Sequence, residues 1–282
     1  VGKTEVVGRS VHDGGGLPLM WWRRAASAAV LIPVFAWLAM GGPAWLFGAV
    51  VVAVSALACA ELARMFQRGG RPIHTGLAVG VGAVLTASFA TGLVQLALAA
   101  GVLLILSAPL WSPALPSLES TANTLFTAVY VGWLLGHAIW LQGRADGPLL
   151  VLFLVGVTWV GESAAYVFGS TIGRHPIAPV LSPRKTVEGA LAQLVFSIAA
   201  GLGLGLWLVP GCSLAGAAGA GALLGVIGQA GDLAESAIKR SLGTKDAGDL
   251  IPGHGGMLDR IDGLLFNTPA LYFYSLYAWC RP

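Results

Sequence analysis

Asp232, Glu235, Ser236 and Lys239 are spaced i, i+3, i+4 and i+7. That spacing puts two acids, a hydroxyl and a cation on one helical face. Such a stripe at the end of an apolar helix can hold a metal ion and a phosphate together. Ionisable groups in or beside a membrane helix are functional candidates by default. The plain alternative is a solvated face laced by i,i+4 ion pairs. Downstream come Lys245-Asp246, then Ile251-Pro252-Gly253-His254-Gly255-Gly256, then Asp259-Arg260-Ile261-Asp262. Glycine amides can approach phosphate oxygens closely, although a Gly-rich turn alone is a weak signal and His254 could equally cap a turn. The aspartates suit Mg²⁺, which takes oxygen ligands and shares them with substrate phosphates. Arg260 could also serve as a structural salt-bridge partner.

A second polar stretch reads Ser182-Pro183-Arg184-Lys185-Thr186-Val187-Glu188-Gly189. It stands where a helix is expected to start, with Ser182 and Thr186 available for capping and Glu188 in the first turn. A helix N-terminus with Arg184 and Lys185 beside it is a ready phosphate site. Upstream, residues 159–169 (WVGESAAYVFG) place Glu162 in apolar surroundings.

The elements that must position these residues lie in a membrane. Of 282 residues, 56% are hydrophobic and only 10% charged, against about 25% charged in soluble domains. So few charges cannot cover a water-facing surface. The fold class expected is all-α and polytopic, with nine apolar segments of membrane-spanning length. These are roughly 25–41, 43–63, 73–91, 93–111, 122–142, 148–170, 187–209, 213–233 and 263–280. With a cytoplasmic N-terminus, alternation puts fourteen Lys and Arg inside and only Arg144 and Arg281 outside, as the positive-inside rule requires. Residues 1–24 read as a flexible cytoplasmic tail, 25–145 as N-terminal membrane helices, and 146–282 as the catalytic membrane region. The apolar run after Arg24 is read as an anchored helix rather than a signal peptide. Gly80, Gly82, Gly201, Gly203 and Gly205 could permit close helix packing. Cys59, Cys212 and Cys280 are too scattered for a metal site. Glu61 is expected to pair with Arg64 or another loop cation, and His137 to be satisfied by a neighbouring helix. A net charge of +3 gives no basis for a nucleic-acid partner.

The stretch from Ser236 to Asp262 resembles the pattern of the phosphatidate cytidylyltransferase (CDP-diacylglycerol synthase) family. That pattern runs Ser, two residues, Lys-Arg, four residues, Lys-Asp, later His-Gly-Gly, then Asp-Arg, one residue, Asp. Here it is met by Ser236, Lys239-Arg240, Lys245-Asp246, Gly248, Pro252, His254-Gly255-Gly256, Asp259-Arg260 and Asp262, across 27 positions. Residues 182–189 are similar to the family's Ser-Pro-Lys-Lys-Thr-x-Glu-Gly segment, and Glu162 stands where the family usually carries Asp. The resemblance is strong over residues 159–270; upstream it is one of hydropathy alone.

The resemblance implies that CTP and phosphatidate react at the cytoplasmic boundary of the inner membrane, giving CDP-diacylglycerol and pyrophosphate. It implies Asp232 and Asp259 as Mg²⁺ ligands, with Asp246 and Asp262 as further ones and room for a second, monovalent cation. Lys239, Asp246, Asp259 and Arg260 are the catalytic expectations. Lys239, Arg240, Lys245 and Arg260 would bind triphosphate or lipid phosphate. Ser182, Lys185 and Ser236 would touch phosphate, and His254-Gly255-Gly256 would shape the phosphate loop. The family also implies a homodimer. Two rivals are a CTP-dependent polyprenol or lipid kinase and a transporter; the latter would spread charges through several spans.

Overall fold

The computed structural model describes residues 33–111, 117–209, 211–244, 248 and 256–277. Helical residues 33–40 precede α1 (Ala44–Arg68), α2 (Thr75–Thr91) and α3 (Val94–Trp111). Then come α4 (Leu118–Thr127), a π-helical segment (Ala128–Trp133), α5 (Leu134–Gln142) and α6 (Gly147–Thr171). A two-stranded ribbon, β1 (Pro176–Ala178) and β2 (Ser182–Thr186), leads into α7 (Val187–Leu208), α8 (Leu214–Ser241) and α9 (Leu258–Tyr277).

Five helices are long and apolar enough to cross a membrane: α1, the continuous helix Leu118–Gln142, α6, α7 and α8. The expectation of nine spans is corrected to these five among the described residues. Apolar runs do not fix where a helix starts: α2 begins at Thr75 and not at 73. Gly92, with φ of 73°, ends α2 after 17 residues, and the apolar part of the next helix, Val94–Leu110, is equally short of span length. α9 carries Asp259, Arg260 and Asp262 in its first turns and is not among the five. The tail at 1–24 and residues 25–32 of the first expected span lie outside the described residues. The class itself holds: the chain is an all-α, multi-pass membrane protein with one small ribbon. Large side chains such as Leu103, Val195 and Trp207 are exposed along its helices, which suits a bilayer as solvent and not water.

The main buried cluster is shared by helices from along the whole chain, with Leu62 from α1, Leu141 from α5, Phe153 from α6, Leu224 from α8 and Leu265 from α9. Sequential neighbours pack in a row, α6 on α7, α7 on α8 and α8 on α9. At the α7–α8 crossing, a Cβ on Gly201 would lie 2.8 Å from the Cα of Gly221, so the two backbones approach as only small residues allow. Gly82 and Gly205 are also in close contact, whereas Gly80 and Gly203 face open space. The π-helical segment is held by Thr86, whose hydroxyl donates to the Gly132 carbonyl at 3.0 Å and lies 2.7 Å from Ser55 Oγ. Carbonyls loosened by a π-bulge need such a partner in an apolar interior.

Candidate active site

α6 ends, α7 begins, α8 ends and α9 begins at one end of the bundle, and the ribbon sits there. β1 runs antiparallel to β2, with Pro176 opposite Thr186 and Ala178 opposite Ser182. Ser182, expected as a helix cap, is instead the first residue of β2. The cap is Thr186 alone, whose hydroxyl accepts from Gly189 N at 3.2 Å. Glu188 turns back to the ribbon: its carboxylate accepts from Arg174 N at 3.1 Å and lies 2.6 Å from His175 Nδ1. Local hydrogen bonding therefore fixes the ribbon to the start of α7 and presents Arg184 and Lys185.

Lys185 Nζ reaches Asp232 Oδ2 on α8 at 2.7 Å. One turn later Glu235, fully buried, meets Lys239 at 2.7 Å, and the same ammonium meets Asp259 of α9 at 2.8 Å. The helical stripe read from the sequence is thus real, and Lys239 rivets it to α9. Asp259 Oδ2 also accepts from Gly256 N at 3.1 Å, which closes the first turn of α9.

Three carboxylates converge. Asp232, Glu235 and Asp262 each offer an oxygen within 4.8 Å of the others. Two of the expected metal ligands, Asp232 and Asp262, are in this group; Asp259 is not, being held by Lys239 and Gly256. Glu235 takes the third place. Burial, then the charge of Asp232, push the Asp262 carboxyl up to about 6. Glu235 Oε1 is buried without a hydrogen-bond partner among the described residues. Crowded acids and an orphaned carboxylate oxygen are what a bound cation would relieve, and an all-oxygen donor set fits a hard divalent ion.

A cavity of ≈ 490 Å³ adjoins the cluster and shares Asp232 with it. Lys185 and Arg184 of the ribbon, Glu162 and Gly169 of α6, and Gln193 and Gln229 line its walls. Glu162 also touches the place where a Cβ on Gly263 would stand, beside Asp262. The longer acid noted in the sequence therefore reaches the cluster from α6. Arg240 is exposed and donates to the Leu181 carbonyl at 3.1 Å, tying α8 to the ribbon turn. Ser236 is half-buried on α8, and Arg260 is exposed in the first turn of α9. Lys245, Asp246, His254 and Gly255 lie outside the described residues.

With this geometry in view, comparison with known sequences is decisive. The sequence profile of the cytidylyltransferase family matches residues 22–278. The chain belongs to the cytidylyltransferase family. Among curated relatives, it is 41% identical over 161 residues to YnbB of Escherichia coli (strain K12), an uncharacterized protein, covering 54% of each chain. It is 35% identical over 163 residues to a phosphatidate cytidylyltransferase of Staphylococcus aureus (strain COL), covering 55% of this chain and 59% of that one. A phosphatidate cytidylyltransferase of Staphylococcus haemolyticus is 36% identical over the same length. The matched region spans only about half the length of these relatives. The acid cluster offers the oxygen donors that a divalent metal would take.

Sequence reasoning missed two residues near the site. Glu235 was on the acidic stripe, but its i+4 partner Lys239 gave it a structural explanation. Tyr130, in the π-helical segment, carries no motif. Its hydroxyl is buried without a hydrogen-bond partner among the described residues and is within electrostatic range of Glu235, Asp262 and Asp232. Its ring stacks on Phe126, with centroids 5.2 Å apart.

Proposed function

We propose that this protein is a CTP:phosphatidate cytidylyltransferase, making CDP-diacylglycerol and pyrophosphate. The observation that carries the reading is the convergence of Asp232, Glu235 and Asp262 beside Lys185 and Lys239, in a chain of the cytidylyltransferase family. A lipid phosphate oxygen attacks the α-phosphorus of CTP; the bond to the bridging oxygen of the β-phosphate breaks and pyrophosphate leaves. A divalent cation such as Mg²⁺, held by Asp232, Glu235 and Asp262, would neutralise the phosphate oxygens and the leaving group. The protein's own part is chiefly placement and charge. Lys185 and Arg184 border the cavity and, with Arg240 beside the ribbon turn, would draw in the phosphates. Lys239 bridges Glu235 and Asp259 and so holds α8 to α9. Asp259 and Arg260 stand at the start of α9 as phosphate-side groups. Ser182 and Ser236 retain their reading as phosphate contacts. Lys245 keeps its reading as a triphosphate or lipid-phosphate contact and Asp246 its reading as a catalytic group and metal ligand, while His254, Gly255 and Gly256 shape the phosphate loop. No carboxylate need act as base, because a phosphate monoester is largely ionised at neutral pH, its second pKa being about 6.

The site faces the cytosol in this reading, as soluble CTP requires. The working unit is a homodimer, by analogy with the family. The test is an assay of purified protein in detergent with labelled CTP, phosphatidate and Mg²⁺. Cytidine label should pass into the lipid extract with release of pyrophosphate. Release of CDP with a phosphorylated lipid would make the protein a kinase and overturn the reading.

A further inference from the structure

Glu61 is an acid in the middle of an otherwise apolar helix turn, 1% exposed, flanked by Leu62 and by Cys59 and Met65, all buried. A carboxylate there is costly unless its oxygens are engaged. Among the described residues it pairs with no cation. Its Oε2 accepts from the backbone N–H of Leu258, 197 residues away, at 2.8 Å. Leu258 is the first residue of α9. The first four amides of a helix have no partner within it and are normally capped from the residue just upstream. Here the capping group comes from α1. A charged acceptor strengthens such a bond, and negative charge is favoured at a helix N-terminus. The second oxygen, Oε1, lies 3.4 Å from the place of a Cβ on Gly248. The carboxylate therefore lies between Gly248, inside the connection from α8 to α9, and Leu258, the first residue of α9.

We infer that Glu61 is a positioning residue for the carboxylate cluster: from α1 it fixes the start of α9, and so Asp262, against Asp232 and Glu235 of α8. Asp262 stands one helical turn after Leu258, on the same face. Any roll or slide at the helix start carries its carboxylate out of the group whose oxygens lie within 4.8 Å. The inference rests on the metal-site reading above. Residues that orient ligands in this way are typically worth about 10–100-fold in metal affinity.

The test is Mn²⁺ binding, followed by electron paramagnetic resonance, to the full chain purified in detergent. Glu61→Ala should weaken Mn²⁺ by about 10–100-fold. Glu61→Gln keeps an oxygen for Leu258 N–H and should stay within about threefold of wild type, which simple loss of packing would not reproduce. Gly248→Val, which crowds Oε1 from the loop, should weaken Mn²⁺ in the same direction and decides the matter if Glu61→Ala does not fold. Asp262→Asn is the control. If Asp262→Asn leaves Mn²⁺ binding unchanged, the metal site is wrong and this inference falls with it. If Asp262→Asn weakens binding while Glu61→Ala, or Gly248→Val in its place, does not, only the role of Glu61 is overturned.

Discussion

Replacing Lys239 by methionine would remove the one ammonium shared by Glu235 and Asp259, at 2.7 and 2.8 Å. The side chains of the three residues are 15%, 0% and 19% exposed, so water screens these pairs little. Removing one partner from a buried pair typically destabilises by about 3–5 kcal/mol, because the other charge is left uncompensated. Here two carboxylates are left, but unequally. Asp259 keeps the Gly256 amide; Glu235 Oε1 has no hydrogen-bond partner among the described residues, and the carboxylate stands within reach of Asp232 and Asp262. A divalent cation would supply the missing positive charge to Glu235 but not to Asp259. Thermal unfolding in detergent should therefore show a large loss for Lys239→Met without metal, cut to roughly half at saturating Mn²⁺ on the same scale. Equal loss with and without Mn²⁺ would refute the idea that Glu235 belongs to the cation site. No loss in either condition would refute the claim that Lys239 holds α8 to α9.

Three further outcomes follow from the same geometry. Protons compete with metal for a carboxyl held up at about 6, so lowering the pH from 7.5 to 5 should weaken Mn²⁺ binding about tenfold through Asp262 alone; an Asp of ordinary pKa would give almost no change over that range. Asp262→Asn should weaken Mn²⁺ more than Asp259→Asn does, whereas both should depress turnover in the labelled-CTP assay; the reverse order of metal affinities would move the cation to Asp259. Tyr130→Phe removes a buried hydroxyl with no described partner, so it should leave thermal stability unchanged or raised by about 1 kcal/mol while lowering turnover; full activity in this variant would show the hydroxyl to be idle.

The acidic stripe on α8 was legible because helical periodicity alone sets which of its residues share a face. Aspartates before an apolar helix likewise announced the start of α9. What spacing could not supply was the partner of each group. Glu61 looked local, beside Arg64, yet its carboxylate caps a helix 197 residues away. Asp259 ranked ahead of Asp262 as a metal ligand by sequence, yet Lys239 and Gly256 engage the first while the second lies in the cluster. Ser182 and Thr186 both looked like caps; Pro183 cannot donate to a helix or a ladder, and the chain runs extended until Thr186 turns it into α7. Spans were overcounted because hydropathy registers an apolar run and not the length of regular helix inside it: on either side of Gly92, Thr75–Thr91 holds only 17 helical residues and Val94–Leu110 is equally short.

The wide turn at Ala128–Trp133 sets the phase between the two parts of one long helix. Each residue of an α-helix turns its neighbour by about 100°. Deleting one residue there would tighten the turn to ordinary winding and swing Tyr130 and Phe126 relative to the ring cluster around His137, where Phe89 and Trp133 each lie 4.9 Å away. Drift in chain length at this point is therefore far more damaging than drift in residue type: substitutions leave the phasing intact, whereas a single-residue insertion or deletion dislocates one end of the helix from the other.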